Sequence, residues 1–327
     1  MNTSLLKSTT NRAQFLRIIG TLLALGLVIY LFAQQGWADI EAAFRSISIW
    51  RLVLAMGLMI VSRFAVTGRW FVLLRSSGMN ITFGETARIT FAGLFSNNFL
   101  PTTIGGDVIR MAGAIQFKYD AAICGASLIV DRLVGMAGMA MAVPFGLPSL
   151  FAAPGADSIG PANPSLVASR LSALPLGTLW RKAIESGLRT ARKIVAALTL
   201  WLRKPRALLI ALGLSWVHML CFFAILSLLL DGMGEHVSFW LVAGLYSYVY
   251  FVTLLPISIN GYGVQELILT FIFSQFAGVS WANGLITALL FRTLQMIASL
   301  PGAAFVPGIM AGIKARPVPA PLSGFED

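Results

Sequence analysis

Long apolar segments recur along most of this chain. The clearest of them, at residues 50–74 and 208–230, are each long enough to cross a bilayer as a helix, because a crossing needs about 20 apolar residues. Charged residues make up only 11% of the chain, whereas a soluble domain averages about 25%. The sequence therefore predicts an all-α polytopic membrane protein.

The segments predict about six to eight transmembrane helices, because each crossing uses about 20 residues of the 327 present. We expect a single membrane domain at residues 1–313 and a disordered tail at 314–327. The apolar segments lie at about 18–34, 50–74, 85–98, 121–150, 208–230, 240–256, 264–276 and 281–306.

Basic residues flank the membrane segments and account for the net charge of +11. They precede the first apolar segment and crowd residues 181–206, which predicts that both regions, including the N-terminus, are cytoplasmic. The segment at 181–204 reads as an amphipathic helix on the inner leaflet. We expect no nucleic-acid partner, because no basic surface with interleaved aromatic residues lies elsewhere.

Placing both basic regions in the cytoplasm leaves the number of membrane crossings open. Two cytoplasmic regions must be separated by an even number of spans, yet only three are clear between them. Either the interrupted segment near residue 100 also crosses, or a weaker span lies within 152–180. Both alternatives are compatible with the sequence.

Two Pro/Gly-rich breaks interrupt the apolar segments at corresponding places in the two halves. In lipid, irregular backbone persists only where it is buried in protein or lines a polar cavity, and paired breaks mark the central site of many transporters. We predict re-entrant or broken helices in a pseudo-repeat, either inverted or parallel. The residues that mark the breaks are Pro101, Gly105 and Gly106, then Pro256, Gly261 and Gly263.

Charged residues also lie within or beside the apolar segments, where each costs several kcal/mol unless it is paired or faces a polar cavity. Asp107, at the predicted start of a short helix, and Arg110 share one helix face, whereas Asp131 and Arg132 must point apart. We predict a site that binds a lipid head group, formed by Arg63, Arg69, Asp107, Arg110, Asp131, Arg132, Glu266 and Arg292.

Two interpretations of these charges remain open. In the first, the charged residues pair only with each other and hold helices together, and Arg69 extends to the membrane surface. In the second, the charged residues bind an anion. Without Arg69 the set holds four arginines and three carboxylates, so internal pairing leaves one cation over. Arginine suits phosphate because its planar guanidinium offers several N–H donors and stays protonated.

Other kinds of site are not expected. Cys124 and Cys221 lie far apart in apolar surroundings, and His218 and His236 are isolated, so neither a disulfide nor a metal site is indicated. No nucleotide-binding or hydrolase motif occurs, and we predict no catalytic residue and no cofactor.

Several short motifs occur in a fixed order: Arg69-Trp70, Asn98-x-x-Pro101, Gly105-Gly106-Asp107-x-x-Arg110, Asp131-Arg132, and Pro256 followed by Gly261-x-Gly263-x-x-Glu266. As a set, covering about residues 15–310, they resemble the lysylphosphatidylglycerol synthase transmembrane-region family. The resemblance implies a flippase-like domain that moves anionic or polyprenyl-linked lipids across the bacterial inner membrane. The soluble aminoacyl-transfer domain of full synthases has no counterpart among the 327 residues, so we do not expect lipid aminoacylation.

The expected function is therefore lipid binding and translocation, with membrane lipids and a partner enzyme of a lipid pathway as partners. Two alternatives stay open. One is a membrane-embedded transferase that acts on a lipid phosphate with Asp107 or Glu266 as general base. The other is an accessory subunit whose charges only hold helices together.

Overall fold

The computed structural model describes residues 47–98, 105–152, 201–254 and 263–314, and all regular structure within these ranges is helical. Pro101, Pro256 and Gly261 lie outside the described residues. So do the first apolar segment, most of the predicted amphipathic helix at 181–204, and residues 315–327.

Side-chain caps fix where several helices begin. Thr82, Asp120, Ser238 and Ser280 each accept a hydrogen bond from a backbone N–H of the first helical turn, which satisfies a donor that the helix leaves unpaired. The helices are α1 (Ile49–Ser76), α2 (Phe83–Asn97), α3 (Gly105–Gln116), α4 (Ala121–Ala140), α5 (Leu147–Ala152), α6 (Pro205–Gly232), α7 (Phe239–Thr253), α8 (Val264–Ala277), α9 (Trp281–Ser299) and α10 (Val306–Lys314). Short 3-10 helices occupy Val143–Gly146 and Leu300–Ala304.

Within the described residues, four segments are long and apolar enough to cross a membrane: Ile49–Ser76, Ala121–Ser149, Pro205–Gly232 and Trp281–Ala304. Helices α7 and α8 are apolar but shorter, and at 1.5 Å per residue neither reaches across about 30 Å of hydrocarbon. The prediction of a polytopic α-helical membrane protein is confirmed.

Three boundaries differ from the predictions. Helix α3 begins at Gly105 rather than at Asp107, so both glycines of the first break lie inside its first turn. The segment predicted at 121–150 changes to a 3-10 turn at Val143, with Pro144 in that turn, since proline lacks the N–H that an α-helix needs. Lys314, assigned to the tail, ends helix α10.

Helices α2 and α3 form an antiparallel hairpin around the first break. The side-chain Oδ1 of Asn97 accepts a hydrogen bond from the Gly106 N–H at 2.6 Å. Further from the break, a Cβ at Gly93 would lie 2.7 Å from Arg110 Cγ, and one at Gly113 would lie 3.0 Å from the Ile89 side chain. Glycine at these positions therefore permits a close helix–helix approach that any side chain would prevent.

Two apolar clusters flank the polar centre of the protein. The larger one joins α6, α7, α8 and α9, with Phe223, Phe273 and Phe291 fully buried. The smaller one packs Trp70 and Leu74 of α1 against α2, α3 and α4. Helix α1 packs along α6 and links the two clusters.

Candidate functional site

A cavity of about 350 Å³ lies between these clusters. Seven of the eight residues predicted for the site line it, and the eighth, Glu266, contacts one of the seven. The lining residues from that set are Arg63, Arg69, Asp107, Arg110, Asp131, Arg132 and Arg292. Four different stretches of the sequence thus meet at one polar centre, while the binding role of these residues remains a prediction.

Asp131 of α4 is the most deeply buried charge of the site, with 2% of its side chain exposed. Arg69 Nε donates to Oδ1 at 2.6 Å, and Arg110 donates to Oδ2 at 3.1 Å through both terminal nitrogens. Arg69 also donates to Ser215 Oγ at 3.0 Å. Arg69 is therefore buried in an ion pair, and the alternative in which it reaches the membrane surface is wrong.

Asp107 joins a second pair of arginines nearer to the cavity opening. Its Oδ1 accepts from Arg110 at 3.1 Å, as the i,i+3 spacing predicts, and its Oδ2 accepts from Arg132 Nε. The side chains of Asp107 and Arg132 are 15% and 41% exposed. The neighbours Asp131 and Arg132 differ in burial, with 2% and 41% of their side chains exposed, yet both line the same cavity.

Packing holds the shared guanidinium of Arg110 in place. Its Cζ lies 4.2 Å from the ring centroid of Trp70, a cation–π distance that stabilises the charge. The Trp70 indole N–H donates to Ser127 Oγ at 3.0 Å, which fixes the ring. On the far side of Asp131, Gly135 admits Arg69, since a Cβ there would lie 3.1 Å from Arg69 Nη1.

The second half of the chain supplies a separate ion pair. Glu266, in the first turn of α8, accepts from Arg292 Nε of α9 at 2.7 Å. Gly263 caps α8 with a φ of 75°, a backbone conformation that favours glycine. Gly263, which belongs to the second break, therefore lies directly before α8, the helix that carries the Glu266 carboxylate.

Arg63 of α1 differs from the other arginines of the cavity. Only 7% of the residue is exposed, yet it has no carboxylate partner among the described residues. Its buried Nε has no hydrogen-bond partner there, which is also true of Arg110 Nε. The Arg63 guanidinium lies 5.9 Å from the ring centroid of Phe222. Because Arg69 also belongs to the site, five arginines face three carboxylates and the excess is two positive charges.

Sequence reasoning missed several polar residues of the cavity. His218 has its Nδ1 2.6 Å from Ser62 Oγ, and Tyr246, Tyr250 and Gln295 also line the wall. Ser215 and His218 are three residues apart within the otherwise apolar stretch 207–226 of α6, so they share one face. This isolated polar face could have indicated the cavity. Within the described ranges, no group of three or more potential metal ligands occurs.

The charged residues of the site lie in a segment that matches a known protein family. A family model described as the lysylphosphatidylglycerol synthase TM region matches residues 17–302. All eight charged residues of the site lie within that match. No curated protein matches the chain.

Proposed function

Because the chain belongs to the lysylphosphatidylglycerol synthase TM-region family, we propose that it binds an anionic or polyprenyl-linked lipid by its head group and moves it between the leaflets of the bacterial inner membrane. The observation that carries this proposal is the cavity among membrane helices with an excess of buried arginine. The N-terminus faces the cytoplasm in this proposal, and an enzyme of the same lipid pathway supplies or consumes the lipid.

The charge of the cavity favours a phosphate head group. Burying an ion without a partner costs several kcal/mol, because the protein interior replaces little of its hydration. A phosphate oxyanion would restore that loss by accepting charge-assisted hydrogen bonds from guanidinium groups. The hydrocarbon tails of the lipid would remain in the bilayer, where they need no polar partner.

The two alternative functions explain fewer of these contacts. A purely structural role fits Asp131, which joins α1, α3 and α4 through Arg69 and Arg110, but it gives no reason to bury Arg63. A transferase needs a carboxylate with an oxygen available to take a proton. Both oxygens of Asp107 already accept from arginines. Glu266 has a buried Oε2 without a hydrogen-bond partner among the described residues, but it does not line the cavity.

A scrambling assay in liposomes tests the proposal. The purified protein is reconstituted with a fluorescent phosphatidylglycerol, and dithionite quenching reports how much probe reaches the outer leaflet. We expect Arg110→Ala and Glu266→Gln to slow the transfer about tenfold or more, because a charge-assisted hydrogen bond is worth about 1.5–3 kcal/mol.

The matched control is Arg88→Ala, since Arg88 is exposed on α2 and should transfer lipid at the wild-type rate. Size-exclusion profiles establish that each variant remains folded. Transfer by Arg110→Ala and Glu266→Gln at the wild-type rate would overturn the proposal.

A further inference from the structure

We propose that this cavity selects head groups whose phosphate carries two negative charges, namely phosphomonoesters and diphosphates, over singly charged phosphodiesters. The inference rests on the proposed function, because the ligand is a lipid head group bound in the same cavity. It adds the charge class of that head group, which the family match does not specify.

The excess positive charge divides between two places. Three arginines, Arg69, Arg110 and Arg132, share two carboxylates, Asp131 and Asp107, which leaves one positive charge within that network. Arg292 and Glu266 balance each other. Arg63 supplies the second excess charge, since it has no carboxylate partner in the described part of the chain.

Neighbouring segments do not change this balance. The stretches 99–104 and 255–262, which flank the helices of the site, contain no acidic or basic residue. His218 contacts Ser62 Oγ rather than a carboxylate, so it removes none of the excess positive charge. A head group with two negative charges neutralises the described site, whereas a phosphodiester leaves one positive charge over.

Helix α1 contributes to both places of excess charge, through Arg63 and through Arg69 of the network. Arg63 and Arg69 are six residues apart on α1, which corresponds to about 9 Å along the helix axis. The long arginine side chains can close part of that separation around a single phosphate or a diphosphate. One anionic oxygen would then meet Arg63, and another would meet the network around Asp107.

Titration calorimetry with short-chain lipids tests this selectivity. The full-length protein in phosphatidylcholine nanodiscs is titrated with dihexanoyl phosphatidic acid, a phosphomonoester, and with dihexanoyl phosphatidylglycerol, a phosphodiester. Heats from empty nanodiscs are subtracted. At pH 8 we expect about tenfold tighter binding of phosphatidic acid, since its second phosphate proton, with a pKa near 6, is then lost.

The pH dependence of the binding preference distinguishes selection by head-group charge from selection by head-group shape. At pH 5 the phosphomonoester carries one negative charge, so we expect the preference to shrink to about twofold or less. A preference that is unchanged between pH 8 and pH 5 would overturn the inference, because the shape of the head group would then be selected.

Variants of Arg63 locate the second charge. Arg63→Gln should weaken phosphatidic acid binding more than phosphatidylglycerol binding and reduce the preference to about twofold or less, while Arg63→Lys, which keeps the charge, should retain the preference. The matched control is Arg75→Gln, an exposed arginine on the same helix. We expect no loss of thermal stability in Arg63→Gln, because the substitution removes an unpaired buried charge.

The outcomes distinguish this inference from the proposed function. If the wild type binds both lipids equally and still scrambles them, the charge selectivity is wrong and the proposed function stands. If Arg63→Gln weakens both lipids equally, the assignment of the second charge to Arg63 is wrong. If neither lipid binds and neither is scrambled, both proposals fail.

Discussion

Asp107 and Glu266 occupy equivalent positions, because each is the third residue of a helix that follows a Pro/Gly break. A carboxylate in the first helical turn interacts favourably with the positive end of the helix dipole. Each also pairs with an arginine of the next helix in the chain, Arg132 for Asp107 and Arg292 for Glu266. The same unit of break, short helix and arginine-bearing helix thus occurs in both halves, in agreement with the predicted pseudo-repeat.

Asp131→Asn is expected to destabilise the protein strongly. The substitution leaves Arg69 and Arg110 buried without the carboxylate that both contact, and loss of one partner of a buried ion pair costs about 3–5 kcal/mol. Thermal unfolding in detergent measures the change. Asp231→Asn, at an exposed aspartate, is the matched control, and equal melting temperatures for the two variants would contradict the prediction.

Asp107→Asn is expected to change stability little and to change lipid binding more. Asp107 is partly exposed and competes with a head group for Arg110 and Arg132, and Arg110 keeps its contact with Asp131. We expect phosphatidic acid to bind about threefold more tightly, which corresponds to the energy of a partly exposed ion pair. Calorimetry against wild type measures this, and weaker binding would show that the Asp107 carboxylate helps to hold the ligand.

Gly93→Ala should disrupt the α2–α3 hairpin. Its new Cβ would lie 2.7 Å from Arg110 Cγ and 2.8 Å from the Gly106 carbonyl oxygen, and overpacking of this kind costs about 1–3 kcal/mol. We expect slower scrambling together with a lower melting temperature. Gly213→Ala on α6 is the control, because nothing lies within 4 Å of its Cβ. A similar loss in both variants would contradict the prediction, because the close contacts at Gly93 would then not be its cause.

Glu85 should make stability depend on pH at the start of α2. Hydrogen bonds from the backbone N–H and the hydroxyl of Thr82 hold the pKa of Glu85 below its ordinary value. The contribution of the Glu85 carboxylate to the free energy of unfolding is therefore fully present above the unfolded-state pKa, about 4.3. It is lost as the pH falls through the lower folded-state pKa.

The measurement compares wild type with Glu85→Gln, which can keep the capping geometry without titrating. We expect the melting temperature of wild type to exceed that of Glu85→Gln at pH 7 and the difference to shrink as the pH falls below about 4. A constant difference across this range would mean that the carboxylate charge does not contribute.

The sequence alone predicted that several charged residues lie near one another, because a charge buried among apolar residues needs a partner. Asp107 and Arg110 could be paired from their spacing on one helix, and this pair is present. The clustering of distant charges was also predictable in outline, because an ion in an apolar segment needs a partner or a polar cavity.

Particular long-range partners were not predictable, because they depend on how the helices pack. Arg69 and Asp131 meet only because α1 and α4 lie together and Gly135 leaves room for the guanidinium. The lack of a carboxylate near Arg63 in the described part of the chain and the contact between Ser62 and His218 arise in the same way. Periodicity assigns residues to a helix face but does not say which other helix that face meets.

The ion pairs described for the cavity each join residues from the same half of the chain. Arg69, Arg110 and Arg132 bind Asp107 and Asp131, and Arg292 binds Glu266. During synthesis, each half can therefore enter the lipid phase with its carboxylates already neutralised by its own arginines, before the ribosome has completed the other half. Two contacts between the halves form later, because Arg63 meets Phe222 and Arg69 meets Ser215 only after α6 has been inserted.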